Sequence, residues 1–519
     1  MISHLLSSLI TIYFLLIFPS SFAISLPIFN TPDFLCNSTP YPYFCKSNLP
    51  FNKPGTIKDY AKISMSQSFS NARNFHSLIQ HYLNLPSTSF ESTIRALEDC
   101  KFLAELNIDF ISQALNATAI ENDIDSDGVN DLLTLISATL TNHETCVEGL
   151  RSVGSGILNE LLTPIGNGSK FYRNSLALFS DGWVPKGLRG RILKQVNLPF
   201  LENVKVRRTV VVNQDGSGQY PTISDAVNAA ANNTVSSDGY YVIYVTAGVY
   251  NEYVSIPKYK KYVMIIGDGM DRTVITGNRS VVDGWTTFNS ATFVVVGQGF
   301  VAVNITFQNT AGAIKHQAVA LRSGADQSAF FSCRFEGYQD TLYTHSLRQF
   351  YRDCEVYGTI DYIFGNAAVV LQNCKIYSRK PLSGQFNTVT AQGRTDPNQN
   401  TGISIQNCSI LAAEDLESTK SYLGRPWKEY SRVVVMQSFI DSLIDPTGWA
   451  LWNGDFALST LYYAEFDNRG GGSETSGRVT WPGFHVINAT DAVAFTVSNF
   501  TQGDFWLPAT KVPYVGGLM

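Results

Sequence analysis

Several signatures of common enzyme and binding classes are absent from this sequence. It has no G-x-S-x-G segment, which argues against a serine esterase, and no cysteine–histidine spacing that suits a metal site. Its net charge of -5 argues against nucleic acid or an anionic membrane as the main partner. The apolar run at residues 5–18 is shorter than the about 20 residues that a membrane span needs. We therefore expect no metal, no cofactor and no membrane span in the mature protein.

The composition instead indicates a large, well-packed globular protein that is secreted. With 519 residues the chain is too long for one ordinary domain. Residues 1–23 predict a signal peptide, with small residues before the cleavage point, although only His4 stands where basic residues are usual. A membrane anchor is the alternative interpretation of this segment. Eight cysteines and nine N-x-[S/T] sites are compatible with disulfides and glycosylation outside the cell.

Residues 56–180 have the periodicity of amphipathic helices, with apolar residues spaced by three and four. Three to four such helices with short connections predict an antiparallel four-helix bundle. Ser126 or Asp127 is expected to cap the third helix. Two cysteine pairs are predicted to bridge this half, Cys36 with Cys45 and Cys100 with Cys146. No cluster of reactive side chains stands out here, so this half is expected to bind or to assist folding.

From Thr209 onward, short β-branched runs are interrupted by Gly, Asn and Asp, and an internal repeat appears. Its units are FSCRFEG, YRDCEVYG, LQNCKIYS and IQNCSILA, with cysteines at positions 333, 354, 374 and 408. The intervals of 21, 20 and 34 residues fit coils that stack as parallel strands. We predict a right-handed parallel β-helix, with disulfides joining Cys333 to Cys354 and Cys374 to Cys408.

The same repeat places two carboxylates side by side. Asp340 follows Cys333 by seven residues and Asp361 follows Cys354 by seven, so both occupy one position on adjacent coils. Two charges about 5 Å apart at an effective dielectric near 20 repel by about 3 kcal/mol, so the pair is expected to retain one proton. An acid beside a base or nucleophile suits both acyl transfer and glycoside hydrolysis. The alternative is that both are structural turn residues.

The residues around the two aspartates favour a catalytic role over a structural role in turns. Gln317 precedes Gln339 by 22 residues, about one coil, and two stacked amides can donate hydrogen bonds to a developing oxyanion. Three aromatic residues, Tyr343, Tyr362 and Phe364, are expected beside the carboxylates.

Eight segments of the second half together resemble plant pectin methylesterase, in that family's order: GSGQYPTISDAV, ITFQNTAG, HQAVALR, YQDTLY, DYIFGNAAVV, VTAQGRTDPNQNTG, YLGRPWKEYSR and GRVTWPGF. The helical half, with its four cysteines, resembles the pectin methylesterase inhibitor domain that many such enzymes carry as a pro-region. The resemblance implies hydrolysis of methyl esters of galacturonate units in cell-wall pectin, with release of methanol.

The resemblance also implies catalytic roles. Asp361 would be the nucleophile, forming a covalent acyl intermediate. Asp340 would protonate the departing methanol and then activate water. Gln339, assisted by Gln317, would stabilise the oxyanion.

Three further residues are assigned to binding in the same way. Arg425 would keep Asp361 ionised and oriented, Trp427 would offer a flat face to a sugar ring, and Thr287 would contact substrate. Tyr362, where phenylalanine is more usual, would place an extra hydroxyl beside Asp361.

The implied organisation is a signal peptide at 1–23, an inhibitor-like pro-domain at 24–185, a basic linker with a processing site at 186–208 and a catalytic domain at 209–519. RGRIL at 189–193 and the pair Arg207-Arg208 are both candidates for cleavage. Two other functions stay open: another β-helix pectinase (hydrolase or lyase), and a catalytically inactive wall-binding or inhibitor protein.

Overall fold

The computed structural model describes two successive units, a helical unit within residues 31–184 and a β-helix unit at residues 204–519. The described ranges are 31–50, 55–85, 90–120, 124–154, 157–184 and 204–519. The predicted signal peptide and most of the predicted basic linker lie outside them. Among the described residues, no helix combines the length and the apolar character needed to cross a membrane.

The helical unit contains four long helices preceded by two short ones, which confirms the predicted bundle. They are α1 Pro32–Cys36, α2 Pro42–Asn48, α3 Ile57–Leu83, α4 Glu91–Ile120, α5 Ser126–Ser152 and α6 Ile157–Trp183.

Local sequence explains where the long helices start. Thr56 and Asp59 form a capping box at the start of α3, in which each side chain binds the other's backbone N–H. The cap of α5 is Asp125, whose carboxylate accepts a hydrogen bond from the N–H of Gly128 at 2.8 Å. The predicted caps, Ser126 and Asp127, are therefore wrong by one and two positions, because both already lie inside the first turn.

Both disulfides predicted for this half are present. Cys36–Cys45 joins α1 to α2, and Cys100–Cys146 joins α4 to α5. The second bridge joins two of the helices that contact the β-helix.

The β-helix unit is built from three sheets in which every strand pair is parallel, as predicted for a right-handed parallel β-helix. The eleven-stranded face contains β1 Val206–Val212, β2 Tyr240–Val245, β5 Val263–Gly267, β8 Val301–Val303, β11 Ser328–Phe331, β14 Arg348–Arg352, β17 Ala368–Gln372, β20 Gly402–Gln406, β23 Arg432–Met436, β25 Tyr462–Phe466 and β26 Phe484–Val486. The seven-stranded face contains β4 Val254–Ile256, β7 Phe293–Val295, β10 Leu321–Ser323, β13 Leu342–Thr344, β16 Ile363–Gly365, β19 Asn387–Gln392 and β22 Ser421–Gly424. The eight-stranded face contains β3 Gly248–Asn251, β6 Thr273–Gly277, β9 Thr306–Asn309, β12 Arg334–Glu336, β15 Glu355–Gly358, β18 Lys375–Ser378, β21 Ser409–Ala412 and β24 Phe439–Ile440.

Stacked apolar side chains fill the interior between the three sheets. Phe330 stacks on Tyr351 with ring centroids 4.7 Å apart, and Phe307 stacks on Phe335 at 5.6 Å. Equivalent positions on successive coils therefore bury one continuous column, which is how a solenoid obtains its core.

The four cysteines of the repeat lie in that column but are free and buried, so the predicted disulfides Cys333–Cys354 and Cys374–Cys408 are wrong. Register explains the error. Each cysteine precedes a strand aligned with the next, so the four side chains leave the backbone in the same direction, about 4.8 Å apart. A disulfide instead needs Cβ atoms about 3.5–4.5 Å apart on bonds that converge.

Short helices cover parts of the β-helix. Helix α7, Ile223–Ala229, packs on its first coil. The C-terminal helices α8 Ala489–Ala492, α9 Val497–Phe500 and α10 Gly503–Thr510 follow the last strand. Trp506 and Leu507 of α10 are buried in a cluster on the eleven-stranded face. The helical unit lies on the seven-stranded face instead, where the candidate site is found.

Candidate active site

Asp340 and Asp361 lie on adjacent coils, just before β13 and β16. Leu342 pairs with Ile363, so the two aspartates occupy the same position in consecutive coils. Both are buried, at 8% and 5% exposure. Both adopt left-handed backbone conformations, with φ of 62° and 53°. That conformation is costly for residues other than glycine and recurs at functional sites.

Three donors hold the carboxylate of Asp361. Arg425 donates from Nε to Oδ1 at 2.8 Å and from Nη2 to Oδ2 at 2.7 Å, a bidentate pair. Thr388 donates its hydroxyl to Oδ1 at 2.6 Å and accepts from the Asp361 backbone N–H at 2.8 Å. This carboxyl group is therefore held in one orientation by an ion pair and a hydroxyl.

Asp340 has the opposite environment. Burial, and then the neighbouring charge of Asp361, raise the pKa of the Asp340 carboxyl well above its usual value, and the positive charge of Arg425 only partly opposes this. The pair thus places a carboxyl that burial biases towards its protonated form beside a carboxylate that is paired with arginine.

A cavity of about 330 Å³ opens over this pair, and all seven predicted site residues line it: Thr287, Gln317, Gln339, Asp340, Asp361, Arg425 and Trp427. The backbone N–H of Ala318 donates to the carbonyl of Gln339 at 3.2 Å, which places Gln317 and Gln339 on neighbouring coils. The cavity therefore combines an acid, a carboxylate, two side-chain amides and an aromatic face.

An aromatic row borders the acids. Tyr343 and Phe364 pair in register and stack with centroids 4.1 Å apart, and both line the cavity as expected. Tyr362 does not. It is fully buried inside the β-helix, where its hydroxyl lies 3.1 Å from Ser378 Oγ. Tyr362 belongs to the interior apolar core together with Ile363, so its hydroxyl cannot reach the site.

Sequence reasoning missed three residues of the site: Thr388, Phe288 and Trp452. The Arg425 guanidinium lies 4.5 Å from the Trp452 ring centroid, and both Trp452 and Phe288 line the cavity. Phe288 directly follows Thr287, a predicted substrate contact, and this adjacency could have identified it from the sequence. Thr388 lies 27 residues from Asp361, about one coil after allowing for a loop.

The helical unit closes the cavity. Helix α5 contributes Thr145, Glu148, Gly149 and Ser152 to its lining. Thr145 Oγ1 lies 3.0 Å from His345 Nε2, and Lys428 pairs with Glu148. Apolar residues of the bundle share one buried cluster with the aromatic row. A polymer cannot lie along the seven-stranded face while α5 is in place.

Contact between the two units is expected to weaken as the pH rises. Asp99 of α4 is buried against Thr286 and Asn289, and this burial raises its pKa from 3.8 to about 7, although the hydrogen bond from Thr286 and the charge of Arg322 both favour the carboxylate. Burial also raises the pKa of Glu148, with Lys428 opposing. A carboxyl whose pKa is higher in the docked state favours docking below its free pKa and loses that contribution as the pH rises through the docked value.

The dissociation constant between separately purified helical and β-helix units should therefore increase at least about tenfold between pH 4 and pH 7.5. Titration calorimetry at the two pH values measures it. Asp99→Asn, which keeps the shape without the charge, should flatten much of the dependence. Equal dissociation constants for the wild type at both pH values would contradict the expectation.

The comparisons with known proteins agree with this architecture. The pectinesterase family model matches residues 209–504, and the plant invertase/pectin methylesterase inhibitor model matches residues 30–178. A probable pectinesterase/pectinesterase inhibitor 20 of Arabidopsis thaliana is 52% identical, with 94% of each chain covered. Pectinesterase 2 of Citrus sinensis is 46% identical, covering 93% of this chain and 94% of its own.

Two solved structures are also similar. The pectin methylesterase from carrot is 58% identical over 60% of this chain and 98% of its own, with a TM-score of 0.58. The pectin methylesterase from Aspergillus niger is 33% identical over 57% of this chain and 95% of its own, with a TM-score of 0.50. The chain therefore belongs to the pectinesterase family, and it carries an inhibitor-family unit ahead of its β-helix.

Proposed function

We propose that the β-helix unit hydrolyses methyl esters of galacturonate residues in cell-wall pectin, releasing methanol and leaving free carboxylates. One observation carries the proposal: a carboxylate fixed by a bidentate arginine, a second carboxyl whose pKa is raised and two glutamine side chains line one cavity. These groups suit acyl transfer through a covalent intermediate.

In the first half-reaction, a carboxylate oxygen of Asp361 attacks the ester carbonyl carbon. The carbonyl oxygen becomes an oxyanion that accepts hydrogen bonds from the amides of Gln339 and Gln317. As the tetrahedral intermediate collapses, the bond to the methoxy oxygen breaks and Asp340 gives that oxygen its proton. Methanol leaves, and the galacturonate carbonyl remains bound to Asp361 as an acid anhydride.

In the second half-reaction, Asp340 is a carboxylate and removes a proton from water. The hydroxyl attacks the anhydride carbonyl, the bond to Asp361 breaks, and both starting protonation states return. Arg425 keeps the Asp361 carboxylate in the same orientation in both half-reactions, while Trp427 and Thr287 position the sugar.

The helical unit supports a second part of the proposal, that it is an intramolecular inhibitor. Residues of α5 occupy the groove along which a polymer would lie. We further propose the organisation outlined above: a signal peptide at 1–23, an inhibitor-like pro-domain at 24–185, a linker at 186–208 cut by a protease, and a catalytic domain at 209–519. On this proposal the protein is secreted to the plant cell wall and glycosylated.

The test uses the purified β-helix unit and highly methylated pectin. Methanol should appear while the length of the polymer, followed by size-exclusion chromatography, stays constant. Rapid chain shortening would indicate a hydrolase or lyase instead. A folded unit that releases no methanol and leaves the chain length unchanged would indicate an inactive wall-binding protein.

A further inference from the structure

Beside the active site, one carboxylate of the helical unit rests in a set of donors that belongs to the β-helix unit. Thr286 donates its hydroxyl to Asp99 Oδ2 at 2.6 Å, and Asn289 donates its side-chain amide to Oδ1. We call the site formed by these two donors the carboxylate seat, and Asp99 is 5% exposed in it. Both Asp99 and Thr286 line the cavity that contains the catalytic pair, so the seat is continuous with the active site.

A buried arginine adjoins the seat. Arg322 is 3% exposed, its Nε has no hydrogen-bond partner, and no carboxylate of the described chain lies within 4.0 Å of its guanidinium. Burial lowers the pKa of Arg322 to about 10, and the nearby carboxyl of Asp99 partly opposes this. A buried arginine is rarely left without an ion pair, because desolvating the charge is costly.

Register shows that Arg322 faces the groove. It pairs with Tyr343 in the next coil, and Tyr343 pairs with Phe364, which pairs with Ala391. In-register residues of a parallel sheet point to the same side, and the three residues that follow Arg322 in this column all line the active-site cavity. The Arg322 guanidinium lies 3.3 Å from the centroid of Phe288, another residue of that lining.

An aromatic face stands next to the donors. The Trp285 ring is stacked between two guanidinium groups. That of Arg279, in the β-helix unit, lies 3.8 Å from the ring centroid, and that of Arg95, in α4, lies 3.9 Å from it. Arg95 and Asp99 lie four residues apart on one face of α4. Departure of that single helix would therefore uncover one face of Trp285 and empty the carboxylate seat together.

We propose that Trp285, Thr286, Asn289 and Arg322 form a subsite for a galacturonate residue with a free carboxylate, and that Asp99 occupies this subsite in the closed chain. The sugar ring stacks on the face of Trp285 that Arg95 covers, and its carboxylate takes the place of the Asp99 carboxylate. The inference rests on the proposed function, since the polymer must be pectin. It adds a position that accepts a de-esterified unit next to the one being hydrolysed.

The experiment uses the β-helix unit alone. This unit has its own apolar core, and 98% of the carrot chain corresponds to it, so that solved relative is folded without a helical unit. The probes are a galacturonate hexamer with free carboxylates and the same hexamer fully methyl-esterified, with binding measured by titration calorimetry. Methanol release from the esterified hexamer, measured separately, reports on the proposed function.

Arg322→Gln should weaken binding of the acidic hexamer at least about tenfold and binding of the esterified hexamer less than about twofold, because only the former presents a carboxylate. Asn289→Ser should show the same selectivity with a smaller effect. Trp285→Ser should weaken both hexamers alike, since stacking does not depend on the charge. Lys375→Gln, an exposed change on the eight-stranded face, should alter neither.

Equal weakening of both hexamers by Arg322→Gln and Asn289→Ser, or no weakening by either, would overturn the subsite. If Arg322→Gln lowers the unfolding temperature too far for titration, Asn289→Ser decides the question on its own. Selective loss of the acidic hexamer in a protein that releases no methanol would retain the subsite and reject the esterase. Methanol release without selectivity would do the reverse.

Discussion

Asp361→Asn in the β-helix unit is expected to lower methanol release from methylated pectin at least about 10⁴-fold, a loss typical of removing a nucleophile. The asparagine amide keeps the size of the carboxylate and still accepts hydrogen bonds from Arg425 and Thr388. It cannot supply the electron pair that forms the anhydride. Because the cavity remains intact, binding of pectin fragments should change far less than turnover.

The matched control for this variant is Asp415→Asn, in an exposed turn after β21. It makes the same chemical change away from the groove and should retain full activity. Unfolding temperatures of both variants should be recorded, because Arg425 loses an ionic partner only in the first. If Asp361→Asn retains more than about a hundredth of wild-type turnover, another group is the nucleophile.

Separating the helical unit from the β-helix is expected to raise activity at least about a hundredfold over the intact chain. In the closed chain, α5 lines the cavity over the acids, and Tyr343 and Phe364 are only 3% and 4% exposed. Substrate can bind only in the fraction of molecules in which the units have separated, so the observed affinity for pectin falls by that fraction. Initial rates of methanol release by the two proteins at equal concentration measure the effect.

A charge reversal in the intact chain tests the same contact without cleavage. Glu148→Lys places a cation opposite Lys428 and should restore part of the activity, because the ion pair becomes a repulsion. Glu105→Lys is the control, since Glu105 pairs with His76 inside the helical unit. Equal activity of the intact chain and the β-helix unit would remove the inhibitory role.

The repeat made the active-site pair predictable. Seven residues separate each aspartate from the cysteine of its coil, and a strand spacing of about 4.8 Å then places the acids together. The positions of Gln317 and Gln339 followed from the same period. Arg425, Trp427 and Thr287 came instead from the family resemblance, because no spacing links them to the aspartates.

The wrong predictions concern the direction in which a side chain points, which the repeat does not determine, and not its position along the coil. The repeat placed the four cysteines one coil apart, but parallel side chains point alike and do not converge into disulfides. Tyr362 follows Asp361 in sequence, but the left-handed backbone at Asp361 precedes a side chain that is buried in the core. Thr388 lies in β19 after a loop whose length the repeat does not specify, and Trp452 lies in a loop. The seating of Asp99 depends on how two units dock, which no pattern within either unit contains.

The helical unit and the β-helix unit differ in the state of their cysteines. Both disulfides lie in the helical unit, and the four cysteines of the β-helix are unpaired. A thiol reductant can therefore break disulfides only in the helical unit, which covers the active site. One of these disulfides joins α4 to α5. The scaffold of the catalytic groove is held by parallel strand pairing and a packed core and contains no disulfide, so a reducing medium would loosen the restraint on the enzyme while leaving the enzyme folded.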